Sequence, residues 1–305
     1  MSIDCCYPLS VVDERELPEG YDGPAFVWDI DKTYLSTHFS SMKGLARIPL
    51  EFAVDKMAIP GMPEILRGLR RGPGPGFAAA PLYFVSASPP QMRKVLEHKM
   101  LMDGVEYDGI TSKDWFLTVK QRRPGRLKEQ VGFKLCALLE GRRRRPLARE
   151  YLFGDDVEQD ATAFHLYSRL LAGELSAGDA DGAMAAEGVK PDDRRCVFAL
   201  LDRLPEKRGA VPRAFIHLEH GTPPSEFDHF GGLVAPVKGA GQLAPALYEL
   251  GLLDSDAVGQ ALDEVVSRSG LSESDREELL RDAVSRGLVS EEKLREAGID
   301  SGFDR

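Results

Sequence analysis

The chain has 305 residues, 43% of them hydrophobic and 29% charged, and a net charge of −10. Those proportions exclude a disordered chain and suit one large domain with an appendage, or two modest ones. No run approaches the roughly 18 apolar residues of a membrane-crossing helix, and acids stand near the N-terminus where a secretory leader would be basic, so a cytoplasmic protein is expected.

Residues 1–22 read as an N-terminal extension, and the first apolar run, AFVWDI (25–30), reads as a buried strand. GMPEILRGLRR (61–71) has helical period, and GPGPG (72–76) is a connecting loop whose prolines remove the N–H donors that a phosphate cradle needs. The strand LYFVSA (82–87), the helix PPQMRKVLEHKML (89–101) and a weaker strand near EYDGIT (106–111) come next. They are followed by the helix LKEQVGFKLCALLEGRR (127–143), the strand REYLFG (149–154), the helix EQDATAFHLYSRLLAGEL (158–175) and the strand RAFIHLE (213–219). Strands alternating with helices predict an α/β domain over 23–250, a parallel sheet with helices on both faces.

After Leu250 the chain turns to short amphipathic segments, with Gly-Leu recurring at 251, 270 and 287. Residues 251–305 thus read as an acidic helical appendage, either packed on the main domain or free to bind a partner. Cys5, Cys6, Cys136 and Cys196 show no CxxC spacing and are read as reduced, with Cys136 and Cys196 in the core.

Charge is unevenly spread. Residues 113–149 hold twelve Lys or Arg against three acids, a local +9, whereas 254–305 hold fourteen acids against seven bases, a local −7. KQRRPGR (120–126) and GRRRR (141–145) read as solvated loop and helix-end charge, as a surface for an anionic membrane, or, with less weight, as a nucleic-acid contact.

In FVWDIDKTYLST (26–37) two aspartates, Asp29 and Asp31, end a strand two positions apart, so they share a face if the extended backbone persists. Such a pair at the carboxyl edge of a parallel sheet requires a cation or a shared proton. A second cluster, YLFGDDVEQD, supplies Asp155, Asp156 and Asp160 after another strand, and oxygen-only donors suit Mg²⁺ and phosphate chemistry. Ser86 ends a third strand, and Lys134, flanked by Phe133, Leu135 and Leu138, reads as half-buried and therefore in want of an anion. HLEH (217–220) with His229 hints at a metal, but positions three apart in a strand face opposite sides, so His217 and His220 would not converge. Ser86 also lacks the flanking glycines of a serine-hydrolase nucleophile.

The order Asp-x-Asp, Ser, Lys, Gly-Asp-Asp resembles the haloacid dehalogenase superfamily of phosphotransferases, with DIDKT, FVSAS, Lys134 and FGDDVEQD as its four motifs. DIDKTYLST, IPGMPEIL (59–66), FVSASPPQM, DGITSKDW (108–115), FKLCALLE and the spacing from Asp155 to Asp160 resemble more narrowly the actin-patch-associated phosphatidate phosphatase catalytic domain, a relative of the lipin domain. The likeness is close over 24–175, looser to about 250, and absent from the tail. It departs at Lys32, where that family usually has an acid.

The resemblance implies a Rossmann-like haloacid dehalogenase fold with a small or absent cap. It makes Asp29 the nucleophile, Asp31 the general acid/base, and Ser86 and Lys134 the holders of the transferring phosphate, with Thr33, Ala87 and Ser88 in substrate binding. Mg²⁺ would be bound by Asp29, the Asp31 carbonyl and Asp155, with Asp156 or Asp160 beside them. The implied substrate is a phosphoester, with phosphatidate the family's own. Only 52 residues (34–85) and 47 residues (87–133) separate the motifs, too few for a large lid, so the site can reach a bulky phosphoester such as a lipid headgroup and excludes water less well around small metabolites. The alternatives are the same chemistry on a soluble metabolite or a nucleic-acid end, or a phosphate- or lipid-binding module without turnover.

Overall fold

The structure is a computed structural model, and it describes residues 9–13, 15–36, 57–88, 92–114 and 130–299. The KQRRPGR stretch, Cys5, Cys6 and Trp115 lie outside the described residues.

A seven-stranded sheet in the order β1-β6-β5-β2-β7-β8-β9 forms the centre. Its strands are β1 (Leu9–Asp13), β2 (Pro24–Asp29), β5 (Leu82–Ser86), β6 (Gly109–Lys113), β7 (Arg149–Asp155), β8 (Arg213–His217) and β9 (Val234–Val237). All neighbours run parallel except β1, which lies antiparallel on β6 and takes part of the stretch read as an extension into the sheet. A second, two-stranded sheet pairs β3 (Leu35–Ser36) with β4 (Met57–Ala58).

The helices are α1 (Met62–Arg71), α2 (Arg93–Met102), α3 (Val131–Arg144), α4 (Asp160–Ala172), α5 (Ala177–Ala186), α6 (Pro191–Leu201), α7 (Ala240–Glu249), α8 (Ser255–Ser269), α9 (Glu273–Ser285) and α10 (Glu291–Glu296). A 3₁₀ segment, Pro224–Leu233, joins β8 to β9.

The alternation of strand side chains decides which layer each strand residue joins. Phe26 and Trp28 of β2, with Phe153 and Phe215, share one core with α1, α2 and α7–α10. Val27, Leu152 and Ile216 share the other with α3–α6. On the first face an aromatic ladder fixes the register across β2, β7 and β8: Trp28 stacks on Phe153 with centroids 4.0 Å apart, and Phe153 on Phe215 at 5.5 Å.

The tail helices are part of that first core. Val258, Leu262, Leu280 and Leu294 are buried with the sheet residues. The Gly-Leu repeat has a structural reason: Gly251 and Gly287 take left-handed backbone past a helix end, and Leu252 and Leu288 each donate an N–H five residues back and bury their side chains. Gly298 and Ile299 repeat the device after α10.

Cys136 and Cys196 are both buried, with sulfurs 3.8 Å apart. Cys136 is a free thiol, and both side chains lie in the core as the sequence suggests.

Candidate active site

Chain order reverses at β2, which lies between β5 on one side and β7 on the other. Open α/β sheets place ligands beyond the carboxyl ends of the strands at such a switch point. The ends of β2, β5 and β7 there are Asp29, Ser86 and Asp155.

Asp29 has the parity of Val27, so it faces the α3 layer, where Lys134 lies one turn into the helix. Lys134 is 1% exposed, and its Nζ lies 3.1 Å from Asp29 Oδ1, 2.7 Å from Glu158 Oε2 and in contact with Asp160 Oδ1. The ammonium is fully enclosed, not half-buried as the sequence suggests, and meets three carboxylates.

Asp160 reaches the cluster because Gly154 has no side chain. A Cβ at Gly154 would lie 2.3 Å from Asp160 Oδ2. That oxygen instead accepts the Asp155 N–H at 3.0 Å. Asp155 in turn turns the chain after β7, its Oδ1 accepting the N–H groups of Val157 at 2.6 Å and Glu158 at 2.8 Å.

Carboxylate oxygens of Asp29, Asp155 and Asp160 all lie within 4.8 Å of one another. With Asp155 beside the three carboxylates that Lys134 meets, four acids share one ammonium, a surplus of acid where Asp29 is 3% exposed and Asp155 and Asp160 are 0% exposed. Burial is the main cause that raises their pKa values, with Lys134 opposing it and the neighbouring acids adding to it. Asp155 is pushed up to about 6, Asp160 to about 7, and Asp29 well above the usual carboxylate range. Burial pulls the Lys134 proton off, but Asp160, Asp29 and Glu158 outweigh it and hold the ammonium well above its ordinary value.

Among the described residues, Asp29 Oδ2 and Asp155 Oδ2 are buried with no hydrogen-bond partner. Surplus charge, orphaned oxygens and an all-oxygen donor set fit a hard divalent cation.

Asp31 lies just beyond the strand. Ile30 O accepts the N–H groups of Tyr34 at 3.1 Å and Leu35 at 3.0 Å, and Lys32, with φ 64°, closes the turn by donating to Leu35 O at 2.7 Å. Asp31 Oδ2 accepts Ser88 Oγ at 2.7 Å and, in a long contact of 3.4 Å, Ser86 Oγ. Ser86 Oγ also accepts the Ser88 N–H at 3.0 Å. Thr33 is buried, and its Oγ1 has no partner among the described residues. Ala87 follows Ser86 at the same edge.

Asp156 is directed elsewhere. Its Oδ1 accepts the His220 N–H at 2.9 Å and its Oδ2 the Thr222 N–H at 3.1 Å, so it ties the 218–222 loop to β7. Burial opposes its ionisation, but the His220 and Thr222 donors prevail and lower its pKa. The structure therefore joins Asp29, Lys134, Asp155 and Asp160 in one cluster, sets Asp31, Ser86 and Ser88 in an adjoining one, and leaves Asp156 outside both. Glu158, quoted in the acidic motif but given no task there, belongs to the first.

His217 is buried at the end of β8, and its Nδ1 lies 2.8 Å from Lys32 O, while His220 is exposed. His229 packs against Phe230 with centroids 3.8 Å apart and the rings tilted by 40°.

Residues 25–174 match the family model described as phosphatidate phosphatase APP1, catalytic domain. That segment is a phosphatase catalytic domain. It runs from the second residue of β2 to just past α4, and so holds every residue of both clusters. No curated protein and no solved structure matches the chain. No helix among the described residues is long and apolar enough to cross a membrane.

Proposed function

We propose that the protein is a Mg²⁺-dependent phosphomonoesterase of the haloacid dehalogenase type, acting through an aspartyl-phosphate on Asp29, with phosphatidate or another bulky phosphoester as substrate. The observation that carries this reading is the surplus of buried carboxylate around Lys134 at the carboxyl edge of the sheet. The family match over the same residues supports the phosphatidate assignment.

In this reading Asp29 Oδ2, unpartnered among the described residues, attacks phosphorus, forming the Oδ2–P bond as the bond to the leaving oxygen breaks. Asp31 gives its proton to that leaving oxygen. Its carboxylate then takes a proton from the water that attacks the aspartyl-phosphate, and inorganic phosphate leaves with the Asp29 carboxylate restored.

Ser86 and Ser88, at the end of β5, hold the Asp31 carboxyl on one side, and Ser86 Oγ with Thr33 Oγ1 offers donors to phosphate oxygens. Lys134 keeps Asp29 and Asp160 in place and offsets the charge of the incoming phosphate. Asp29, Asp155 and Asp160 would hold Mg²⁺, with the Asp31 carbonyl, and the ion would neutralise the acid surplus and polarise the phosphoryl group.

Phosphate release from p-nitrophenyl phosphate and from phosphatidate vesicles, each with Mg²⁺ or EDTA and with Asp29→Asn as the blank, tests the assignment. Release from vesicles that needs both Mg²⁺ and Asp29 is the expected result. Release from the soluble ester alone would keep the chemistry and remove the lipid.

A further inference from the structure

The loop that carries Asp31 is held from outside the family-matched segment. Lys32 is one of two non-glycine residues with positive φ, at 64°, among the described residues, a backbone state that side chains disfavour and that neighbouring contacts must hold. Its N–H is satisfied within the turn by Leu35 O. Its carbonyl points out of the turn and meets His217 Nδ1 at 2.8 Å, 185 residues along the chain.

A carbonyl only accepts, so Nδ1 carries the proton of this bond. His217 is 8% exposed and sits at the last position of β8, where its own carbonyl accepts the Asp156 N–H at 3.0 Å. One residue therefore ties together the turn after β2 and the turn after β7.

We propose that His217 is a positioning residue for the reaction, fixing the Lys32 carbonyl and with it the direction in which Asp31 presents its carboxyl to the leaving oxygen. This rests on the reading of Asp31 as the general acid. Its consequence is selective. A leaving group such as p-nitrophenolate departs with little help from an acid, whereas an alkoxide needs a proton as the bond breaks, so a misdirected Asp31 harms alkyl phosphomonoesters far more.

The test compares kcat on p-nitrophenyl phosphate and on an alkyl phosphomonoester for the wild type, Asp31→Asn, His217→Leu, His217→Asn and His217→Gln. Asparagine places an N–H where Nδ1 stands and glutamine places one where Nε2 stands, so the pair decides the matter even where leucine fails to fold. His217→Leu and His217→Gln are expected to lose about 10- to 100-fold on the alkyl ester, with a much smaller loss on p-nitrophenyl phosphate and little change in KM. His217→Asn is expected to restore the wild-type ratio.

Equal losses on both esters, or asparagine and glutamine behaving alike, would overturn the proposal. If Asp31→Asn itself leaves the ratio of the two esters unchanged, the acid role of Asp31 falls and this inference falls with it. If Asp31→Asn shifts the ratio and no His217 variant does, the inference alone falls.

Discussion

The two ends of β7 each bury a cluster of charge, and the clusters are balanced in opposite ways. At the amino end, Glu150 is fully buried between Arg142, 2.6 Å from its Oε2, and Arg145, 2.6 Å from its Oε1. Tyr167 donates to the same carboxylate at 2.6 Å, and Arg142 also gives N–H bonds to Ala148 O at 2.6 Å and Tyr167 Oη at 3.0 Å. At the carboxyl end, one lysine meets Asp29, Asp160 and Glu158, Asp155 stands beside them, and two carboxylate oxygens have no partner among the described residues.

Burial raises the carboxylate pKa at both ends. Two arginines overturn it for Glu150, whose pKa is lowered, and a single lysine does not for Asp29, Asp155 and Asp160. The first cluster is complete within the protein and serves the fold. The second is left for protons or a cation to balance, as the proposed function requires of it.

That contrast can be broken most sharply at Asp29. Asp29→Asn is expected to lower phosphate release by about 10⁴-fold or more, while raising the melting temperature in EDTA, since it removes one buried acid from the surplus. A variant that keeps its activity would remove Asp29 as the nucleophile, and one that melts earlier would contradict the surplus.

Glu150→Gln should do the reverse. It leaves two buried guanidinium groups without their anion, at a cost of about 3–5 kcal/mol, read as an earlier urea midpoint with kcat of the folded enzyme unchanged. Gly154→Ala is expected to displace Asp160 from the Asp155 N–H and lower kcat by about 100-fold, with wild-type KM; unchanged kcat would show that Asp160 tolerates the shift.

The smallest effect is in pH. Asp155 and Asp160 have folded-state pKa values raised to about 6 and about 7, so the stability they add is present below the ordinary carboxylate range and is lost as pH rises through 6 and 7. Glu150, with its pKa lowered, adds stability above its ordinary value and loses it as pH falls through the folded one. In EDTA the melting temperature should therefore drop by a few degrees between pH 5 and pH 8, and a flat profile would argue against the buried surplus.

The site residues were legible where chemistry and strand pattern coincide: Asp29, Ser86 and Asp155 are polar residues closing apolar runs, and Lys134 is a charge inside an apolar helix. Glu158 was not, because an acid in a turn looks solvated until the fold brings a lysine to it. His217 was noticed only as a metal hint, since its partner lies 185 residues away.

Among the elements, β9 (VAPV) was hidden by Pro236, which argues against a strand in sequence but suits an edge, while β1 (LSVVD), as long as β5, stands ahead of the strand–helix alternation that marks the others. The Ala- and Gly-rich α5 has no apolar stripe to announce it. The reach of the tail helices into the main core was one of two readings, and their buried leucines decide for it.

The most direct test of the unfinished cluster is the melting temperature of the full chain as Mg²⁺ is added, for the wild type and for Asp155→Asn. A cation bound only by the folded state stabilises it in proportion to the logarithm of its concentration. The wild-type melting temperature is expected to climb steadily with Mg²⁺ and that of Asp155→Asn to stay level. Two level curves, or two that rise together, would contradict it.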